Sequence, residues 1–334
     1  MRLENVLALT HGTLVNKPFV KQFSNVVFEA KAVKRGDLFM AYDETTIKEA
    51  ILGGAYGIMF CKPTQISDSE IAWIKVSNLD EALKRLLRFK LIDKEILVYE
   101  CNEIILKLAL QVMSEPNFMA LNGDLKSVFK KLWDVESSCV VLFSPTLVSR
   151  DIFTNIQTLS SNPVEKINII EQTLFETSFI YDNIFYERQL ISPFFISYLE
   201  ILFHFFKRLN INFRLRKFTP IDNFEPVFTN KNFEIKEFGA SDKVLIFEKD
   251  TELIKTQMNF LRKEAAWAKL IYILPHTYAC TQIDESQNII IYKNINEITN
   301  ILKSNSFHFA LIVGADKSIL EKPLVRQVQL TLEF

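Results

Sequence analysis

A chain of β-α-β units that grips a nucleotide needs glycine where a strand turns into the phosphate-binding helix. Only glycine lets the backbone turn tightly there and approach the phosphates closely. This sequence has 8 glycines in 334 residues, about a third of what an average usage of roughly 7% would give. None lies between the apolar run Ile96-Leu97-Val98-Tyr99 and the helical pattern that opens at Glu103; the turn reads Glu100-Cys101-Asn102-Glu103. Phe, Ile, Asn and Lys are abundant while Gly and Ala are scarce, as AT-rich coding produces. Such a background lowers the count but does not explain an absence at one position.

Charge and composition exclude several classes. With 39 basic and 40 acidic side chains and a net charge of −1, the chain has no electrostatic footprint for nucleic acid or an anionic membrane. No uncharged apolar run reaches the ~18 residues of a membrane span; the densest stretch, Ile191 to Phe206, is broken by Pro193, Glu200 and His204. The first residues carry Glu4 and no long apolar core, so no signal peptide is expected and the expected location is cytoplasmic. Cys61, Cys101, Cys139 and Cys280 stand apart in or beside apolar runs and read as small buried hydrophobes. His11, His204, His276 and His308 are scattered, and no metal site is expected.

Three α/β stretches follow one another. In residues 1–92, strands are expected at Val26–Phe28, Asp37–Ala41, Gly57–Cys61 and Ile71–Val76. Helices are expected at Thr46–Gly53 and after the cap Asn78, where Ala82, Leu83, Leu86 and Leu87 recur at helical spacing. In residues 93–238, Ile96–Tyr99 and Ser138–Phe143 read as strands and Glu103–Met113 as a helix. Ile191–Arg208 reads as a long helix whose aromatic face (Phe194, Phe195, Tyr198, Phe203, Phe205, Phe206) is expected to be core. Ile211–Glu237 reads as a connector holding Pro220 and Pro226. Residues 239–334 read as two β-α-β steps: strand Val244–Phe247, helix Thr251–Ala266, strand Leu270–Leu274, then strand Ile289–Tyr292, helix Ile295–Leu302, strand Phe309–Val313. A parallel, Rossmann-like closing domain is expected.

Ordered fragments of this chain resemble the Mur ligase family, MurF-type enzymes most of all. The family's S-D-S-R-x-V-x-P-G-D-L-F-x-A stands here as Phe28-Glu29-Ala30-Lys31-Ala32-Val33-Lys34-Arg35-Gly36-Asp37-Leu38-Phe39-Met40-Ala41. Ala50-Ile51-Leu52-Gly53-Gly54-Ala55-Tyr56-Gly57-Ile58 resembles the family's A-I-x-x-G-A-x-A-I, and the loop between them is cut to Tyr42-Asp43-Glu44-Thr45-Thr46. Glu187-Arg188-Gln189-Leu190 and Phe224-Glu225-Pro226-Val227 resemble the junction before the last domain, and Thr229-Asn230 stand near a missing family arginine. The stretch from Phe309 to Lys322 resembles the terminal V-V-L-V-K-G-S-R-x-x-x-M-E-K through Gly314, Glu321 and Lys322.

The resemblance implies three domains: one for a UDP-sugar, one for ATP and magnesium, one that closes over both. It also marks what is changed. Where the family has G-x-x-x-G-K-T-T, this chain has Glu100-Cys101-Asn102-Glu103-Ile104-Ile105-Leu106-Lys107, with two carboxylates where phosphate charge would go. Lys107 comes several residues late and reads as a solvated helix lysine. The later strand, which in the family ends in a magnesium-holding glutamate, here ends in Ser144, a poor sole substitute. The uridine-contacting D-S-R has become Glu29-Ala30-Lys31, and Lys31 keeps the charge without the arginine fork.

The expected protein is a Mur-ligase-like chain of three consecutive α/β domains, the central one shortened and the last Rossmann-like, without catalytic residues, cofactor or metal site. Glu29, Lys31 and Asp37 are the candidates for a residual ligand pocket, with turn bonding beside Gly36 as the competing role of Asp37. Glu100 and Glu103 read as a solvated helix start rather than an acid/base pair. The expected partners are cell-wall synthesis or cell-shape proteins, or a UDP-muramoyl peptide. Two other functions remain compatible: an active ATP-dependent MurF-type ligase, and an interaction protein of unrelated α/β fold.

Overall fold

The computed structural model describes residues 1–135, 138–160, 164–215, 217–278 and 288–320. Cys280, Glu321 and Lys322, named above, lie outside the described residues. The fold is mixed α/β, built on parallel sheets. It forms two compact units: Met1–Leu106 with Ser114–Ser160, and Lys107–Met113 with the described residues after Ser160.

The first unit holds two sheets. Helix α1 (Leu3–Thr10) and strand β1 (Thr13–Leu14) precede β2 (Val26–Val27), β3 (Leu38–Met40), α2 (Ile47–Leu52), β4 (Gly57–Phe60), β5 (Ala72–Lys75) and α3 (Leu79–Ile92). The sheet order is β1-β5-β4-β3-β2, parallel except for β1. β3 and β4 are buried along their whole length, as central parallel strands covered on both faces must be. Asn78 caps α3, its Oδ1 accepting the Asp80 and Glu81 N–H groups at 2.8 and 3.1 Å.

The second sheet follows with β6 (Leu97–Glu100), α4 (Glu103–Gln111), β7 (Met113–Ser114), β8 (Phe118–Leu121), α5 (Leu125–Trp133), β9 (Val140–Phe143) and β10 (Gln157–Thr158). Its order is β10-β6-β9-β8, all parallel. Leu83, Leu86 and Leu87 of α3 belong to the same buried cluster as Leu38, Ile74, Val98, Phe129, Val141 and Phe143, so one core serves both sheets.

Gly57 opens β4 against this core. A Cβ there would sit 2.6 Å from Cε1 of Phe23, which is 3% exposed. An alanine therefore does not fit this position unless the Phe23 ring shifts. Gly57→Ala is expected to cost about 1–3 kcal/mol by overpacking, read as a lower urea midpoint; an unchanged midpoint would mean the ring yields freely.

The second unit opens with an antiparallel sheet the sequence reading did not foresee: β11 (Asn168–Gln172), β12 (Thr177–Tyr181) and β13 (Ile184–Gln189). Ser192 caps a 3-10 turn, Pro193–Phe195, and α6 runs Ile196–Arg208. Phe195, Phe203, Phe205 and Phe206 are buried, so the aromatic face is core. The expected connector 211–237 is not all loop. It holds β14 (Phe213–Arg214) and β15 (Glu225–Thr229), and β15 pairs antiparallel with β16 (Lys243–Glu248).

The closing β-α-β steps are present. α7 (Ile254–Glu264), β17 (Leu270–Pro275), β18 (Ile289–Tyr292), α8 (Ile295–Ser304) and β19 (Phe309–Val313) complete a sheet ordered β15-β16-β19-β17-β18. All its pairings but β15–β16 are parallel. Among the described residues, no helix is long and apolar enough to cross a membrane.

Candidate functional site

In an open parallel sheet, ligands bind beyond the carboxyl ends of the strands. For the second sheet that edge includes Glu100 to Leu106 at the end of β6, Asn122 to Asp124 after β8, Ser144 to Thr146 after β9, and the 3-10 turn Arg150–Ile152.

The strand-to-helix turn after Tyr99 is occupied by its own side chains. Asn102 caps α4: its Oδ1 accepts the Ile105 N–H at 2.8 Å and its carbonyl accepts the Leu106 N–H at 3.2 Å. The Cys101 N–H donates to the Phe143 carbonyl at 2.9 Å, and the Cys101 thiol is 3.5 Å from the same oxygen. Burial pushes that thiol up to about 12, so it stays protonated and unreactive. These N–H groups are therefore not aimed at an anion.

The charges are committed as well. Arg150 grips Glu100 with both prongs, Nε to Oε2 and Nη2 to Oε1, each at 2.7 Å. The Glu100 side chain is only 15% exposed, so this fork-to-carboxylate pair is partly desolvated and directional. Ser144 Oγ lies 2.8 Å from Thr146 Oγ1, which donates to Glu103 Oε2 at 3.2 Å. A triphosphate entering here would meet two carboxylates and would have to take Arg150 from Glu100. No group of three or more metal-ligating side chains occurs among the described residues.

Lys107 was expected to be solvated, and it is not. Its Nζ is 2.5 Å from Asp222 Oδ1 and donates to Asn223 Oδ1 at 2.7 Å. Burial pulls the Asp222 carboxyl up, but the bond and charge of Lys107 and the charge of Lys249 outweigh it and hold the group below its ordinary value.

The three candidate ligand residues lie in the segment that joins β2 to β3 of the first sheet. Glu29 is ion-paired with Lys130 of α5, and that bond and charge hold its carboxyl below the usual range. Lys31 lies exposed in the 3-10 turn Ala30–Ala32. Asp37 is 2% exposed; its Oδ2 accepts the Lys34 N–H at 2.9 Å, and its own N–H donates to the Lys34 carbonyl at 3.1 Å. Gly36, between them, has φ +100°, which an L side chain rarely adopts. Asp37 thus closes the turn that leads into β3. No hydrogen bond or ion pair links Glu29, Lys31 and Asp37 to one another among the described residues.

The short segment after β3 is also tied down. Tyr42 donates its hydroxyl to Asp80 at 2.6 Å, and Lys126 Nζ sits 3.7 Å from the centre of its ring. Burial, then the Asp80 bond and charge, push the Tyr42 hydroxyl well above its ordinary value. Sequence reasoning missed Arg150, Thr146, Tyr42 and Lys130. Each acts through a partner dozens of residues away, and no local spacing marks it.

Compared with known proteins, no family model matches and no curated protein matches. Among solved structures the chain is similar to MurF from Acinetobacter baumannii, at 10% identity and TM-score 0.48, over 93% of this chain and 95% of that one. It is also similar to the MurF ligase from Thermotoga maritima in complex with ADP, at 12% identity and TM-score 0.47, over 88% of this chain and 94% of that one. At 10–12% identity such a likeness transfers no residue's role.

Proposed function

We propose that this chain is a non-catalytic, Mur-ligase-like protein of the bacterial cytoplasm. It acts in peptidoglycan synthesis by binding a precursor, or by scaffolding or regulating cell-wall or cell-shape proteins. Its three parts, 1–92, 93–238 and 239–334, correspond in this reading to the sugar-binding, ATP-binding and closing domains of the family. The observation that carries the reading is the turn after Tyr99. Asn102 caps its helix, Arg150 neutralises Glu100, and no glycine or free lysine cradles a phosphate. Phosphoryl transfer draws nearly all its catalysis from positioning and charge stabilisation at such a loop, so a ligase without it lacks its chemistry.

In this reading Lys31 is the exposed cation left to meet a nucleotide-sugar phosphate. Glu29 orients the neighbouring α5 through Lys130, and Asp37 shapes the turn beneath. Phosphate release is the test. Purified protein given ATP, magnesium, a UDP-muramoyl tripeptide and D-alanyl-D-alanine is expected to release none above a boiled control. Substrate-dependent release would establish the MurF-type ligase instead.

A further inference from the structure

A separate cleft lies wholly within the second unit, at the end where its parallel strands begin. It encloses about 450 Å³ and is bordered by Val244, near the start of β16, and Phe309, the first residue of β19. That is the opposite edge from the carboxyl ends, where such sheets usually bind ligands, and nothing above uses it. The volume falls in the range of small-molecule pockets, roughly 300–1,000 Å³.

Five aromatic rings form a continuous arc around it. Trp267 meets Phe309 edge-on at 6.0 Å, Phe309 meets Phe175 at 6.4 Å, Phe175 meets Phe228 edge-on at 5.7 Å, and Phe228 meets Phe238 edge-on at 5.0 Å. Both ends of the arc are open to solvent: Trp267 is 75% exposed and Phe238 45%. A tryptophan this exposed loses the burial that usually holds one in place.

Among the described residues, Glu264 is the only charged side chain lining the cleft. Its Oε2 accepts from Gln172 Nε2 at 3.2 Å, and its Oε1 faces Lys263 at 3.1 Å. Lys263 is 83% exposed, so that pair is weak. Lys243, next to Val244, does not line the cleft; its Nζ is turned onto the Phe233 and Phe307 rings, 4.5 and 4.6 Å from their centres. The His308 ring lies beside Trp267, with Nδ1 accepting the Lys269 N–H at 2.9 Å.

Aromatic faces attract cations through the ring quadrupole, and a carboxylate adds the balancing charge. We propose that this cleft binds a small organic cation, of the quaternary-ammonium or alkylated-amine class, against Trp267, Phe238, Phe228 and Phe309, with Glu264 as counter-ion. The proposal is independent of whether the protein is a ligase.

The test uses the full chain, equilibrium dialysis, and two probes of one shape: choline and its uncharged carbon isostere, dimethylbutanol. Choline is expected to bind saturably and at least tenfold more tightly than the alcohol. Glu264→Gln is expected to weaken choline about tenfold, a loss of 1.4 kcal/mol, and to leave the alcohol unchanged. Trp267→Ala is expected to abolish choline binding while the melting temperature holds. Equal affinity for the two probes on the wild-type chain would overturn the charge assignment. Absence of saturable choline binding into the tenth-molar range would overturn the site.

Discussion

Replacing Glu248 by alanine is expected to destabilise the second unit by about 3–5 kcal/mol, because it leaves several buried donors unpaired. Glu248 ends β16 and is fully buried. Its Oε1 accepts from Asn223 Nδ2 at 3.0 Å and from the Asp250 N–H at 2.8 Å. Its Oε2 accepts from the Phe224 N–H at 3.0 Å and from Gln257 Nε2 on α7. One carboxylate therefore joins the 222–224 corner, the start of the α7 segment and α7 itself. The corner needs that hold. Phe224 is 1% exposed with φ +48°, a conformation unfavourable for a bulky residue that persists only when its surroundings enforce it. Glu248→Gln keeps the shape but turns an NH₂ toward two donors, so it is expected to cost nearly as much. Urea unfolding followed by circular dichroism checks both variants. A Gln variant as stable as the wild type would show that the carboxylate is replaceable.

The second large effect is expected at Phe203. It is fully buried on α6, tilted against Tyr181 at 4.3 Å and stacked on Phe213 at 5.1 Å. Phe203→Ala is expected to cost about 3–5 kcal/mol, the usual range for removing a large buried aromatic. Phe203→Leu is expected to recover more than half of that, since most of the cost is cavity rather than ring chemistry. If the alanine variant lost less than about 1 kcal/mol, far below that range, the aromatic face of α6 would not be core.

Part of this architecture was legible because parallel strands buried on both faces become unbroken apolar runs. Gly57–Phe60, Val140–Phe143 and Phe309–Val313 are buried at every position, and a run needs no periodicity to be found. α3 was legible through its leucine stripe and its Asn78 cap. The antiparallel sheet was not: only its central strand β12 is mostly buried, while β11 is exposed throughout and β13 at most positions, so no buried run marks the two flanking strands. A usable signal existed in Asp182-Asn183, both at positive φ (49° and 59°), the two-residue hairpin pair that such turns favour. β15 was hidden by Pro226. Proline argues against a central strand, and the structure places β15 at the sheet edge, where proline is tolerated.

At the site, the missing glycines and the two carboxylates after Tyr99 could be read directly. Their partners could not. Arg150 reaches Glu100 across 50 residues, and Lys107 reaches Asn223 across 116. The lysine that looked solvated by helical position is instead an anchor for the corner at Asp222. Charge pairing between distant segments depends on the sheet order and follows only once the fold is known.

The turn after Tyr99 is expected to receive no nucleotide phosphate. Calorimetric titration of the full chain with magnesium-ATP measures this most directly. No saturable heat is expected into the millimolar range, with Arg150→Ala equally silent. Saturable binding at micromolar ATP, weakened by substitution of Arg150 or Asn102, would contradict it.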